Sequence, residues 1–251
     1  MDGAVAWTLA ALAAALVGLS KGGLPVVGML AVPILALVMP PVAAAGLLLP
    51  VYVVSDAFGL YAWRHAFDRR NLAILVPATA LGVGLGWLLA SRVPDWAVTG
   101  LVGLIGSVFA VLLLTGVGAG RPARPAQLGP GLVWGAATGF TSFVSHAGAP
   151  PYQVYVLPQR LEKTVYAGTT TILFAWVNAI KLVPYWALGQ ITLDSLETAL
   201  VLSVPAALAV FAGVRLVRVI PQALFFRLVT WALLGISVKL LWDAGRAGLA
   251  G

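Results

Sequence analysis

A lysine interrupts the first apolar part of the sequence, where Lys21 lies between the apolar runs 4–19 and 24–39. The residues after it are of types that let a backbone approach a ligand and then begin a helix: Gly22, Gly23 and Pro25. Glycine removes the steric obstacle of a Cβ atom, and proline fits the first turn of a helix. A cation beside the amides of a helix N-terminus is a typical anion site. The alternative is a lysine in a water-exposed loop between two spanning helices.

A second break, between the apolar runs 131–145 and 149–157, repeats this design in the other half of the chain. Its residues correspond in type to those of the first break: His146, Gly148 and Pro150. A lone histidine in a membrane is often only a packing residue, but its place at a matching break favours a role in binding. Broken helices whose ends meet at the membrane midplane are typical of secondary transporters. We therefore expect both breaks to form one anion site.

Other polar residues lie within the long apolar runs. Asp56 is the one acidic residue deep in such a run, Asn178 is its counterpart in the second half, and Lys181 follows one helical turn later. We expect Asp56 either to form a salt bridge with Lys21 or Lys181, or to carry a coupling proton. Further candidate donors to the anion carry hydroxyl or amide groups: Gln153, Thr169 and Thr170. Cations outnumber carboxylates here, which favours an anionic substrate over a metal cation.

The elements that must hold these residues are membrane-spanning helices. Of 251 residues, 61% are hydrophobic and 9% are charged, whereas soluble domains are about one quarter charged. A bilayer core requires about 20 apolar residues per spanning helix. Five apolar runs reach that length, and a sixth nearly does: 42–63, 72–90, 96–115, 164–186, 222–242 and, nearly, 196–214. The composition therefore predicts an all-α polytopic membrane protein.

Two other classes of function are disfavoured. The net charge of +7 could indicate nucleic-acid binding, but the lysines and arginines lie between apolar runs, where they orient a membrane protein. Ser145 precedes His146, yet no nucleophile elbow or catalytic carboxylate motif accompanies this pair, so we do not expect an enzyme. The chain has no cysteine, and the pattern gives no reason to expect a metal or another cofactor.

The chain divides into two similar halves at the glycine- and proline-rich segment 116–130. Each half opens with a broken apolar pair and continues with three long runs. Residues of the same type recur in the same order: Ala45-Gly46 with Ala167-Gly168, Pro77 with Pro205, and Pro94 with Pro221. We predict one membrane repeat at 1–115 and another at 131–251, which together form one transmembrane domain. If each broken pair is a re-entrant hairpin, each half makes three further crossings, and the two repeats are inverted.

The charge of the loops sets the orientation. In the hairpin model, one side carries nine cations: Arg64, Arg69, Arg70, Arg121, Arg124, Arg160, Lys163, Arg215 and Arg218. The opposite side carries two, Arg92 and Arg246. Cytoplasmic loops are enriched in lysine and arginine, so both termini are expected outside. The alternative, in which all ten runs cross fully, conflicts with the run 149–157, which is too short to span.

Several segments resemble the signatures of the TauE/SafE-type sulfite exporters (the TSUP family). They are Gly18-Leu-Ser-Lys-Gly-Gly-Leu-Pro25 in the first half, and His146-Ala-Gly-Ala-Pro-Pro151, Tyr155-Val-Leu-Pro-Gln-Arg-Leu-Glu-Lys163 and Asn178-Ala-Ile-Lys-Leu-Val-Pro-Tyr185 in the second. The first segment departs from the glycine-richer form of many relatives, because Ser20-Lys21 stands there. The resemblance spans nearly the whole chain.

The resemblance implies transport of sulfur-containing anions, such as sulfite, thiosulfate or organosulfonates, across a bacterial inner membrane. The residues alone predict an anion transporter, and sulfur comes only from the resemblance. The expected mechanism is export by alternating access. An anion channel that uses the same residues, or proton-coupled uptake of another small organic anion, remains the alternative. Membrane lipid and the small anion are the expected partners, without nucleic acid, and a homo-oligomer is left open.

Overall fold

The computed structural model describes residues 3–89, 95–116 and 122–250, and every regular element in these ranges is helical. The helices are α1 (Ala4–Lys21), α2 (Pro25–Gly28), α3 (Ala31–Leu35), α4 (Pro41–Trp63), α5 (Arg69–Leu89), α6 (Asp95–Leu114), α7 (Leu128–Ser145), α8 (Ala149–Val156), α9 (Lys163–Ala187), α10 (Leu193–Val219) and α11 (Gln222–Ala250), with a 3₁₀ turn at Leu157–Gln159. The predicted all-α class is confirmed. Arg92, Pro94 and Arg121 lie outside the described residues.

Five of these helices are long and apolar enough to cross a membrane: Ala4–Lys21, Val42–Trp63, Arg69–Leu89, Leu193–Val219 and Gln222–Gly248. A shorter apolar helix covers Thr99–Leu114. α1 reaches spanning length because it continues through Ser20 and Lys21, beyond the end of the apolar run. The chain is therefore a multi-pass membrane protein, as predicted.

The first break is more irregular than its sequence suggested. A single apolar run was expected over 24–39, but this arm consists of the two short helices α2 and α3. Tyr52 of α4 donates a hydrogen bond of 2.8 Å to the carbonyl of Gly28. This bond satisfies a carbonyl that the end of α2 leaves without a helical partner. A partner from a distant helix thus stabilises the interruption.

The second break is a single sharp turn. α7 ends at Ser145, and His146 follows in the left-handed conformation with φ of 53°. The N–H of Ala147 then donates to the carbonyl of Thr141. Left-handed backbone costs a non-glycine residue about 1–2 kcal/mol, although histidine tolerates it better than most residues. α8 begins three residues later with proline at its second and third positions.

The described residues divide into two compact units. Unit 1 comprises Met1–Asp68 and Thr164–Ile220, and unit 2 comprises Arg69–Lys163 and Pro221–Gly251. Each unit contains elements from both halves of the sequence, so the compact units differ from the two predicted repeats. The division into repeats, their inversion and the hairpin topology stay predictions.

Helix packing within each unit depends on small residues. In unit 1, α1 packs along α10, and a Cβ atom on Gly18 would lie 2.0 Å from the carbonyl oxygen of Ala206. In unit 2, α7 packs along α5, and a Cβ atom on Gly139 would lie 2.1 Å from the carbonyl oxygen of Thr79. Small residues let membrane helices approach closely. In both units, the first helix of one half packs on the second long helix of the other half.

Candidate functional site

A buried ion pair lies where α1 ends in unit 1. The ammonium nitrogen of Lys21 is 2.7 Å from Oδ1 of Asp56, which α4 supplies. Lys21 is only 3% exposed and Asp56 only 4%. A charge in the membrane interior is stable only with a partner, and each of these residues is the other's partner. Of the two lysines considered as partners of Asp56, the structure therefore pairs it with Lys21.

The second carboxylate oxygen of Asp56 is also bound. Asn178 of α9 donates a hydrogen bond of 2.8 Å from Nδ2 to Oδ2. Both carboxylate oxygens are thus held, and three helices meet at this side chain. Asp56 and Asn178 were predicted to be counterparts in two repeats, and the structure places them in direct contact.

Lys181 adds a second cation to the same unit. It lies one turn beyond Asn178 on α9 and is fully buried. Its ammonium is 5.3 Å from the ring centroid of Tyr185, and it is repelled by Lys21. Among the described residues, the buried charged side chains are Lys21, Lys181 and Asp56. Two lysines and one aspartate give this cluster a formal net charge of +1, which favours an anion over a cation.

Two polar residues of α4 that precede Asp56 in the chain were not predicted from the sequence. The ammonium of Lys21 lies 5.1 Å from the ring centroid of Tyr52, which is a favourable cation–π distance. Ser55 is fully buried, and its hydroxyl has no hydrogen-bond partner among the described residues. The signal for Tyr52 was its spacing, because residues four apart, here Tyr52 and Asp56, share one face of a helix.

The threonines of α9 mainly bond the backbone. Thr169 donates to the carbonyl of Val165 at 2.7 Å and accepts a bond from the N–H of Asp68 at 2.8 Å. Thr170 likewise donates to the carbonyl of its own helix, at Tyr166. Such bonds are common for hydroxyls in membrane helices. The expected role of Thr169 and Thr170 in binding the anion stays a prediction.

The next threonine, Thr171, fixes the end of α1. Its hydroxyl donates to the backbone carbonyl of Lys21 at 3.1 Å. A Cβ atom on Gly59 of α4 would lie 2.7 Å from the Thr171 methyl group, so α4 and α9 approach closely at this point. Thr171 therefore positions Lys21 through the backbone.

The glycines of the first break have a packing role. A Cβ atom on Gly22 would lie 2.6 Å from the Cα of Gly213, and one on Gly23 would lie 2.7 Å from the Cβ of Ala167. Gly23 also has φ of +113°, which residues with a side chain rarely adopt. Pro25 starts α2, as expected, but this helix has only four residues. Its dipole is small, so the positive charge of the site comes from the lysines.

The candidates at the second break lie in unit 2. Gly148, Pro150 and Gln153 are buried, whereas His146 is partly exposed. The first-break candidates, by contrast, lie in unit 1 together with Asn178 and Lys181. A single site shared by both breaks stays a prediction. Within the described ranges, no cluster of three or more His, Cys, Asp or Glu side chains could hold a metal ion.

Comparison with known proteins identifies the family. The family model described as Sulfite exporter TauE/SafE matches residues 9–240, from α1 into α11. No curated protein and no solved structure matches the chain. The matched range contains both breaks and the buried cluster of two lysines and one aspartate. This chain therefore belongs to the TauE/SafE sulfite exporter family, whose members are membrane transporters of sulfur-containing anions.

Proposed function

We propose that this protein is a secondary transporter that exports a small sulfur-containing anion, such as sulfite, thiosulfate or an organosulfonate. The observation that carries the proposal is the buried net positive charge of Lys21, Lys181 and Asp56 in unit 1. Burying an excess charge in a membrane protein is costly, and such residues commonly mark a transport pathway. The anion would bind beside the two ammonium groups.

The charge of the cluster limits which anions it can neutralise. A singly charged anion, such as hydrogen sulfite or an alkanesulfonate, neutralises a cluster of net charge +1. A doubly charged anion does so only if Asp56 takes up a proton, which raises the cluster charge to +2. Asp56 therefore tunes the site rather than contacting the anion, because a carboxylate repels an anion unless it is protonated or paired.

The direction of transport follows from the membrane potential. An inside-negative potential contributes about 2.3 kcal/mol per charge per 100 mV, and it drives anions outward. Export therefore requires no coupling ion, whereas uptake would require protons or Na⁺. In the proposed mechanism, alternating access exposes the lysines to one side at a time. An anion channel is the rival, and unitary currents would support it.

The proposed location is the bacterial inner membrane, with both termini outside. The support is the charge of the loops in the proposed topology, where the arginines of 64–70 and 121–124 face the cytoplasm. The described members of these two segments are exposed, as an orientation signal requires: Arg64, Arg69, Arg70 and Arg124.

A thermal-shift panel tests binding directly. The purified protein is titrated with methanesulfonate, sulfite, thiosulfate, sulfate and acetate. A ligand at 100 times its Kd raises the free energy of unfolding by about 2.7 kcal/mol. We expect clear stabilisation by the sulfonate and sulfite and little by acetate. Absence of stabilisation by every sulfur anion would contradict the proposal, and equal stabilisation by acetate would remove sulfur specificity.

A further inference from the structure

Two serines in unit 2 differ from three threonines of the same unit in their hydrogen bonding. Thr138, Thr141 and Thr230 each donate to a carbonyl one turn back on their own helix, at 2.7–2.8 Å. Ser237 of α11 is fully buried, yet its hydroxyl has no hydrogen-bond partner among the described residues. The same holds for the buried hydroxyl oxygen of Ser107 on α6. In a membrane interior, an unused hydroxyl indicates a partner that these residues do not supply.

The hydroxyl of Ser237 lies beside the second break. α6 packs along α11, and a Cβ atom on Gly106 would lie 2.1 Å from the Oγ of Ser237. The same Cβ position is 3.2 Å from the Cβ of Pro150, in the first turn of α8. Gly106 therefore leaves space for the Ser237 hydroxyl next to the start of α8. Ser107 follows Gly106 directly in the sequence.

The start of α8 attracts an anion but offers few donors to it. An eight-residue helix carries partial positive charge at its N-terminus. Pro150 and Pro151, however, have no N–H group, so two of the usual donors of a first helical turn are missing. An anion at this end must therefore take hydrogen bonds from side chains. Ser237 lies at the right place, and its hydroxyl proton is not used by its own helix.

We propose that Ser237 donates a hydrogen bond to an oxygen of the transported anion at the start of α8, at one stage of its passage. The ligand class is an oxyanion with at least two exposed oxygens, such as a sulfonate or sulfite. This contact rests on the proposed transport function and adds specificity to it. A serine hydroxyl donates one directional hydrogen bond to a single oxygen, so the remaining oxygens of the anion stay available to other donors.

The test is Ser237→Ala in the full chain, reconstituted into proteoliposomes. We expect the KM for sulfite or methanesulfonate to rise about 10-fold, as for loss of one hydrogen bond to a charged group. Thermal stability without anion should be unchanged or higher, because the hydroxyl makes no bond to a described residue.

Ser203→Ala is the matched control, because this buried serine donates to the carbonyl of Ala199 at 2.7 Å. It should leave KM unchanged. A wild-type KM in Ser237→Ala would overturn the inference and would assign the hydroxyl to packing or to water. If Lys181→Met weakens transport while Ser237→Ala does not, the inference fails and the proposed function survives. Wild-type protein that neither binds nor transports any sulfur anion would overturn both.

Discussion

Replacing Lys181 with methionine separates the binding role of the cluster from its structural role. Lys21 and Asp56 neutralise each other at 2.7 Å, so removal of Lys181 leaves this ion pair intact. It also removes the repulsion between the two lysines. The formal charge of the cluster then falls from +1 to zero. Methionine has nearly the same volume, which limits the change in packing.

The expected loss is large for binding and small for folding. A charge-assisted hydrogen bond contributes about 1.5–3 kcal/mol, which is roughly 10- to 150-fold in affinity. At about 4 Å and an effective dielectric constant of about 20, two unit charges interact by about 4 kcal/mol, so the upper part of this range is expected for a buried site. Lys21→Met is the contrast, because an unpaired Asp56 costs about 3–5 kcal/mol of folding free energy.

The assay measures KM for methanesulfonate or sulfite in proteoliposomes, together with the melting temperature in detergent without ligand. Lys239→Met is the control, because this lysine pairs with Asp243 near the end of α11, outside the buried cluster. We expect a 10- to 150-fold rise in KM for Lys181→Met, with a smaller loss of stability than for Lys21→Met. A wild-type KM in Lys181→Met would refute the reasoning that the excess buried charge binds the anion.

Three further predictions test the site, the packing and the topology. Asp56→Asn should flatten the dependence of transport on pH, since the amide cannot take up a proton. An unchanged pH profile would leave Asp56 only its structural salt bridge. Gly18→Ala should destabilise the protein by about 1–3 kcal/mol in a denaturation assay, because the added methyl group overpacks against α10. Gly84→Ala should not, because a Cβ atom there meets nothing within 4 Å. Equal effects of the two substitutions would contradict the packing. The chain has no cysteine of its own. A cysteine introduced by His65→Cys should resist an impermeant thiol reagent applied from outside, and one introduced by Leu193→Cys should react. The reverse labelling would contradict the topology.

The spans formed by α4, α5 and α11 could be predicted because long apolar runs have few alternatives in a bilayer. The end of α1 could not, since the charge of Lys21 in its last turn is neutralised by Asp56, which lies far away in the sequence. The break between α2 and α3 depends in the same way on Tyr52, a residue of another helix. Local patterns contain no information about such partners. For the same reason, the sequence predicted contiguous repeats but not the interleaved compact units.

The site was predictable where a charge stood out against an apolar background. Lys21, Asp56, Asn178 and Lys181 were all singled out, because each is expensive in a membrane unless it has a partner or a function. The matching series of residues in the two halves paired Asp56 with Asn178, although it did not indicate that the two side chains touch. Ser237 was missed, because serine is common in membrane helices and only its missing hydrogen bond distinguishes it.

The most direct test of the central claim is counterflow in proteoliposomes. Vesicles that contain the protein and a high internal concentration of unlabelled sulfite or methanesulfonate are diluted into a trace of the labelled anion. If the protein is a carrier with an alternating-access site, the label accumulates transiently and saturably inside the vesicles. This accumulation should disappear in Lys181→Met. Label that only equilibrates, without overshoot and with unitary currents in planar bilayers, would contradict the transporter mechanism and support a channel. No uptake above protein-free vesicles would contradict anion transport itself.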